Sequence, residues 1–297
     1  MFDYNPFIEH LKYEKRSSAH TVAAYESDLH QFAEYMEGKL EIKELETVGA
    51  TEIRTWILTL LEDGHLTPRS VNRKLSALRD FYRFELKAGH VKHNPMEGIQ
   101  GPKFRNRLPE YLEIKDMERL FSPEMFEDSF EGWRDQTILE LFYATGMRLS
   151  ELLNIKRLDL DFYENSVKVL GKRNKERIIP FGKRMRELLT KYLEYYVKNI
   201  APENENFYIF VAANGRQLYP KAVYRIVRKY LDMVTTIDKR SPHVIRHTFA
   251  THMLNRGADL NAIKEILGHS SLAATQVYTH NSMEQLKSIY KQAHPRA

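Results

Sequence analysis

From Ser18 onward the apolar positions Val22, Tyr25, Leu29, Phe32 and Met36 step by three and four, which places them on one face of an α-helix. A second amphipathic helix is announced by Thr67 as N-cap and Pro68 in the first turn, with Val71, Leu75, Leu78, Tyr82 and Leu86 as its apolar stripe. At about 100° per residue, Arg69, Arg73, Arg83 and Lys87 fall on the opposite face. Residues 1–98 therefore predict a helical domain. The periodicity stops around 93–109. There His93-Asn94-Pro95, Gly98, Gly101-Pro102 and Pro109 supply breakers, with Lys103, Arg105 and Arg107 among them, so 99–109 reads as a linker. Residues 110–297 form the second predicted domain. Ile138, Leu141 and Phe142 mark a buried helix that ends near Gly146. Ser166–Leu170 and Glu176–Phe181 predict a hairpin around the basic tip Gly171-Lys172-Arg173-Asn174-Lys175, and Phe207–Ala212 is a candidate further strand. Helical spacing returns in Met185–Tyr196, in Val223–Val234, from Pro242 onward, and in Ser282–Gln292 through Met283, Leu286 and Tyr290. The predicted fold class is mainly α, with a small antiparallel β-sheet in the second domain.

Composition narrows the possibilities. The chain of 297 residues is 42% apolar and 29% charged, enough for cores in two domains. No run approaches the roughly 18 apolar residues of a membrane span. The opening Met-Phe-Asp-Tyr-Asn carries no basic stretch followed by an apolar one. The absence of cysteine excludes disulfides, thiolate metal sites and cysteine nucleophiles, and a reducing cytoplasmic setting is expected. The net charge of +5 is unevenly placed: residues 1–100 hold 13 Lys/Arg against 16 Asp/Glu, and the remainder 32 against 24. Such asymmetry fits a polyanionic partner for the second domain, or only a basic soluble surface.

Four local patterns carry candidate chemistry. Ala144-Thr145-Gly146-Met147-Arg148-Leu149-Ser150-Glu151 puts an arginine after a glycine turn, with Glu151 on the same helical face. The hairpin tip presents Lys172. In Ser241-Pro242-His243-Val244-Ile245-Arg246-His247-Thr248, His243 and Arg246 share one face near a helix start, a pair suited to gripping a phosphate oxygen. His243 and His247 also have zinc-ligand spacing, but Val244 stands where a metalloprotease has its glutamate. In Leu267-Gly268-His269-Ser270-Ser271, Gly268 reads as a helix C-cap with a new helix at Ser270 or Ser271, and Thr275, Tyr278 and His280 follow. His247 and His252 read as packing residues. Each pattern alone has an ordinary structural explanation; Tyr278 is one of 17 tyrosines.

Taken in order, Arg148, Lys172, His243, Arg246, His269 and Tyr278, with the flanking words ATGMRLSELL, GKRNKERIIP, SPHVIRHTFATHML and LGHSSLAATQVYTH, resemble the tyrosine site-specific recombinases, the integrase family. The first hundred residues resemble them too, through SAHTVAAYESDLHQF and SVNRKLSALRDFYRFEL. Within the family the Xer recombinases are the nearest in pattern, with one helical unit ahead of the catalytic part. The resemblance implies a core-binding, SAM-like domain over 1–98 and a catalytic domain over 110–297, together forming a clamp on duplex DNA. It implies that Tyr278 attacks a phosphodiester to form a 3′-phosphotyrosyl link, with Arg148 and Arg246 on the nonbridging oxygens and His269 donating to the phosphate. The resemblance implies that His243 handles the phenol proton and that Lys172 protonates the leaving 5′-oxygen, a division that spacing alone does not decide. No cofactor is implied, because one phosphoester replaces another of similar energy. Arg69, Arg73, Lys103 and Arg173 are the candidate DNA contacts. The implied assembly is a tetramer of two plus two recombinases, self or related. Its C-terminal tails, Ser282–Gln292, would dock on neighbouring protomers, the alternative being a helix packed on its own domain, and a septal DNA translocase is a possible activator. The expected role is resolution of chromosome dimers at a dif-like site. A mobile-element integrase, a type IB topoisomerase and a noncatalytic helical DNA-binding protein are the alternatives.

Overall fold

The computed structural model describes residues 2–103, 110–171, 175–268 and 280–296, and the chain divides into two compact units, Met1–Arg107 and Leu108–Ala297. In the first, α1 (Asn5–Glu9) runs through a wider turn to Glu14 and is followed by α2 (Ala19–Lys39), α3 (Ala50–Glu62) and α4 (Pro68–Ala88). The expected Thr67 cap forms, its hydroxyl accepting from the Ser70 N–H, and Ser18 caps α2 in the same way, accepting from the Thr21 N–H, both at 3.2 Å. The core of this unit is aromatic. Phe32 meets Trp56 edge-on at 5.0 Å between centroids, and Phe7, Phe81 and Tyr82 fill in around them.

The two helical stripes differ from expectation in detail. Tyr25 is only partly buried, and its hydroxyl donates to Asp80 at 3.0 Å. Leu86, in the last turn of α4, is exposed. Asp28 and Lys74, which a polarity pattern places outside, are buried against each other, Lys74 Nζ to Asp28 Oδ1 at 2.9 Å. A carboxylate can enter this core because Arg73 also grips it through two hydrogen bonds. The predicted linker begins as part of this unit, since Met96 and Ile99 are buried in its core.

The second unit contains α5 (Ile114–Leu120), α6 (Phe130–Thr145), α7 (Leu149–Leu153), β1 (Leu160–Asp161), β2 (Ser166–Leu170), β3 (Glu176–Pro180), α8 (Lys183–Ile200), α9 (Pro220–Val234), α10 (Pro242–Asn255), α11 (Leu260–Leu267) and α12 (His280–Ala293). The fold is thus mainly α with one small antiparallel sheet, ordered β1-β2-β3. β2 and β3 pair from Ser166 with Pro180 to Leu170 with Glu176. α6 is buried around nearly its whole circumference and packs against α8 and α10.

Phe207–Ala212 does not become a strand. Its backbone makes single bridges, Tyr208 with Lys156 and Val211 with Gln217. The α8 tyrosines occupy carbonyls that a strand partner would have used: Tyr192 Oη donates to Ile209 O at 2.6 Å and Tyr196 Oη to Tyr208 O at 3.1 Å. Ile209, Phe210 and Val211 are all buried, without the alternation of a one-sided strand. α12 packs on its own unit, against α10 and β3, and Leu286, Tyr290 and Ala293 join the core.

Candidate active site

The site is built where three chain reversals meet. α6 ends at Gly146, whose φ of 59° is left-handed; an added Cβ would lie 2.4 Å from Phe249 Cδ1 and 2.8 Å from Leu267 Cδ2. Only glycine meets both demands. The reversal makes Arg148 the N-cap of α7. There its N–H donates to Glu151 Oε2 at 2.7 Å, its Nη1 to Glu151 Oε1 at 2.8 Å and its Nη2 to Gly268 O at 2.8 Å.

Arg246 arrives from α10, one turn after its start. It donates through Nη1 to Gly146 O at 2.6 Å and through Nη2 to Leu267 O at 2.8 Å. Arg148 and Arg246 therefore converge on the C-terminal turn of α11, whose exposed carbonyls carry the negative end of the helix dipole. His269 follows that turn directly in sequence.

A third guanidinium completes the cluster. Arg177 on β3 is buried and grips Glu151 with both terminal nitrogens, each at 2.8 Å, while its Nε donates to Ile266 O at 2.7 Å. Burial alone would raise the Glu151 carboxyl, but the bonds and charges of Arg177 and then Arg148 hold it down to about 2. Glu151, read from sequence as one partner of Arg148, is the shared anion of two arginines. Burial, and next the charge of Arg148, lower Arg246 to about 10. Among the described residues, three guanidinium groups against one carboxylate leave a net charge of +2, and the acceptors holding Arg246 are neutral carbonyls. An anion entering here would relieve that excess.

The remaining candidates divide. His243 is exposed in the first turn of α10, one turn before Arg246, and has no hydrogen-bond partner among the described residues. Lys172, Arg173, His269 and Tyr278 lie outside the described residues, as do Ser270, Ser271 and Thr275. His252 is buried and shares a hydrogen bond with Tyr143 Oη at 2.8 Å, while the half-buried His247 faces Tyr111 edge-on at 6.4 Å. Among the described residues no cluster of His, Asp or Glu is arranged to hold a metal ion, and no helix is long and apolar enough to cross a membrane. Of the candidate DNA contacts, Arg69 and Lys103 are exposed. Arg73 is engaged by Asp28.

Sequence reasoning passed over Arg177, although a signal existed. Residues i and i+2 of a strand share a face, and Ile179 is a core residue. A basic side chain on that inward face requires a buried anion.

Comparison with known proteins places the chain in a family. The phage integrase family matches residues 110–285, and the phage integrase N-terminal SAM-like domain matches residues 5–89. The chain belongs to the phage integrase family and is a tyrosine recombinase, an enzyme of DNA strand cleavage and religation. It is 38% identical to tyrosine recombinase XerC of Chlorobaculum parvum, over 98% of this chain and 94% of that protein. It is 41% identical to tyrosine recombinase XerC of Staphylococcus aureus, over 98% and 96%. In fold it is similar to the XerH site-specific recombinase bound to a palindromic difH substrate in a post-cleavage complex, with a TM-score of 0.71, 20% identity, and coverage of 95% of this chain and 78% of that one.

Proposed function

We propose that the chain is an Xer-type recombinase that cleaves and rejoins duplex DNA at a dif-like site, resolving chromosome dimers, with Tyr278 as nucleophile. The observation that carries the assignment of the site is the convergence of Arg148 and Arg246 on the end of α11, where, among the described residues, Glu151 is a single carboxylate shared by Arg148 and Arg177 and Arg246 is held by neutral carbonyls. A scissile phosphate placed there would receive both guanidinium groups on its nonbridging oxygens, where they stabilise the charge of the pentavalent transition state. The Tyr278 phenol attacks phosphorus, the bond to the 5′-oxygen breaks, and the 3′-phosphate stays on the protein. One of His243 and Lys172 accepts the phenol proton and the other protonates the leaving oxygen. His269 donates to the phosphate. A 5′-hydroxyl of the partner strand then reverses the chemistry. Because ester replaces ester, the reaction calls for no cofactor.

Both units would contact the duplex, with Arg69, Lys103 and Arg173 on phosphates. Arg73 would serve chiefly to hold Asp28. Affinity should then fall steeply with salt. The assembly is read as two pairs of protomers on two sites, in the cytoplasm, with the partner recombinase either identical or related and a septal DNA translocase as activator. The XerC relatives favour an Xer-type role over that of a mobile-element integrase.

The test is incubation with a nicked duplex carrying a dif-like site. A protein–DNA adduct that survives denaturation, and is lost in Tyr278→Phe, is the expected result. Retention of the adduct by that variant would remove Tyr278 from the mechanism, and binding with no adduct on any site would point to a noncatalytic DNA-binding protein.

A further inference from the structure

We propose that Arg177 is a positioning residue for strand cleavage, holding Arg148 and the turns before Lys172 and His269 in one arrangement through its contacts with Glu151 and the end of α11. The inference rests on the site reading above and adds to it a residue that touches no reacting atom.

Three observations converge on this side chain. Its two terminal nitrogens bind the two oxygens of Glu151, the carboxylate that also fixes Arg148 by backbone and side chain. Its third nitrogen binds Ile266 O, one residue before the carbonyl of Leu267 that holds Arg246 and two before that of Gly268 that holds Arg148. The guanidinium also lies between two glycines. A Cβ on Gly268 would meet Arg177 Nη1 at 3.0 Å, Cζ at 3.1 Å and Nε at 3.2 Å, and one on Gly171 would meet Arg177 Nη1 at 3.4 Å and Glu151 Oε1 at 3.6 Å. Those glycines immediately precede His269 and Lys172.

Gly171 closes the hairpin base by donating to Lys175 O at 2.7 Å, and Arg177 pairs across the ladder with Val169. One buried fork thus lies against the two glycines that precede Lys172 and His269 in sequence. It also restrains the carboxylate behind Arg148. Lysine cannot copy this, since a point charge on a flexible stem cannot bind two carboxylate oxygens and a carbonyl in fixed directions.

The experiment compares wild type, Arg177→Met and Arg177→Lys in adduct formation on the nicked duplex. Each is assayed with the natural scissile phosphate and with a methylphosphonate there, which lacks the charge that Arg148 is positioned to meet. Thermal unfolding and affinity for the intact site are measured alongside. On phosphate, Arg177→Met is expected to slow adduct formation by about 10- to 100-fold, the scale of losing an outer-shell partner that orients a metal ligand, with affinity retained. Arg177→Lys should restore only part of the rate, and the penalty should shrink on methylphosphonate. Should Arg177→Met not fold, the same substrate comparison is made with Arg177→Lys. Equal slowing on both substrates would mark a general structural defect and overturn the proposal, as would a wild-type rate in both variants. Failure of wild type to form any adduct would instead defeat the reading of the site itself.

Discussion

At the scale of single residues, Glu151 is the most exposed to perturbation in energetic terms. It is buried, and two arginines depend on it. Glu151→Ala leaves the Arg177 charge without a counter-ion. It should cost about 3–5 kcal/mol, the range for breaking a buried pair from one side, as read from urea unfolding midpoints. The carboxyl lies at about 2 in the folded chain, below the roughly 4.3 of an unfolded glutamate. Its stabilising contribution is therefore complete above that unfolded value and is lost as pH falls toward 2. In Glu151→Gln this part of the acid sensitivity should disappear, which unfolding curves recorded across that window will show. Gly146 is a second critical position. Gly146→Ala must adopt a left-handed φ and push against Phe249, so both stability and adduct formation should fall.

At the scale of elements, α4 separates two kinds of arginine that one helical wheel places together. Arg73 is engaged with buried Asp28, whereas Arg69 is exposed and has no ion-pair partner among the described residues. Arg73→Ala is expected to lower stability. Arg69→Ala should leave stability unchanged, weaken DNA binding, and reduce the slope of log affinity against log salt by about one. Melting curves and a salt titration of binding separate the two; an unchanged slope for Arg69→Ala would remove that residue from the phosphate contacts. The β2–β3 hairpin shows the same division. Its strands and register follow from alternation, but the inward role of Arg177 follows from a carboxylate 26 residues earlier in the chain.

At the scale of the whole molecule, α12 closes the core of its own unit. Leu286 and Tyr290 are buried there, and His294 beyond it donates through Nε2 to Tyr143 O at 3.0 Å and stacks on Tyr290 at 4.7 Å. The tail expected to dock on a neighbour thus has a seat in its own chain. Leu286→Ala should cost about 2–5 kcal/mol in dilute protein; a negligible change would mean that the tail contributes only within an assembly. Burial, partly opposed by the Tyr143 bond, lowers His294 to about 3. Between the unfolded value near 6.5 and 3, the unfolded chain binds the extra proton, so stability is lost as pH falls through that interval. His294→Phe should flatten that part of the stability–pH curve.

The sequence by itself marked helices α2, α4, α6, α8, α9, α10 and α12, the Thr67 cap, the hairpin and the order of the candidate catalytic residues. Those depend on spacing, on left-handed glycines and on side chains that bond within one turn, and all of these are local. Tertiary structure alone decided which charges pair. Asp28 is buried because Arg73 and Lys74 reach it from 45 and 46 residues away, and Arg246 meets the ends of α6 and α11 from a third helix. It also turned Phe207–Ala212 from a strand into a buried segment capped by tyrosines of α8. Burial sets the cost of an unpaired charge or carbonyl, and burial is a property of the packed units that no short stretch of sequence carries.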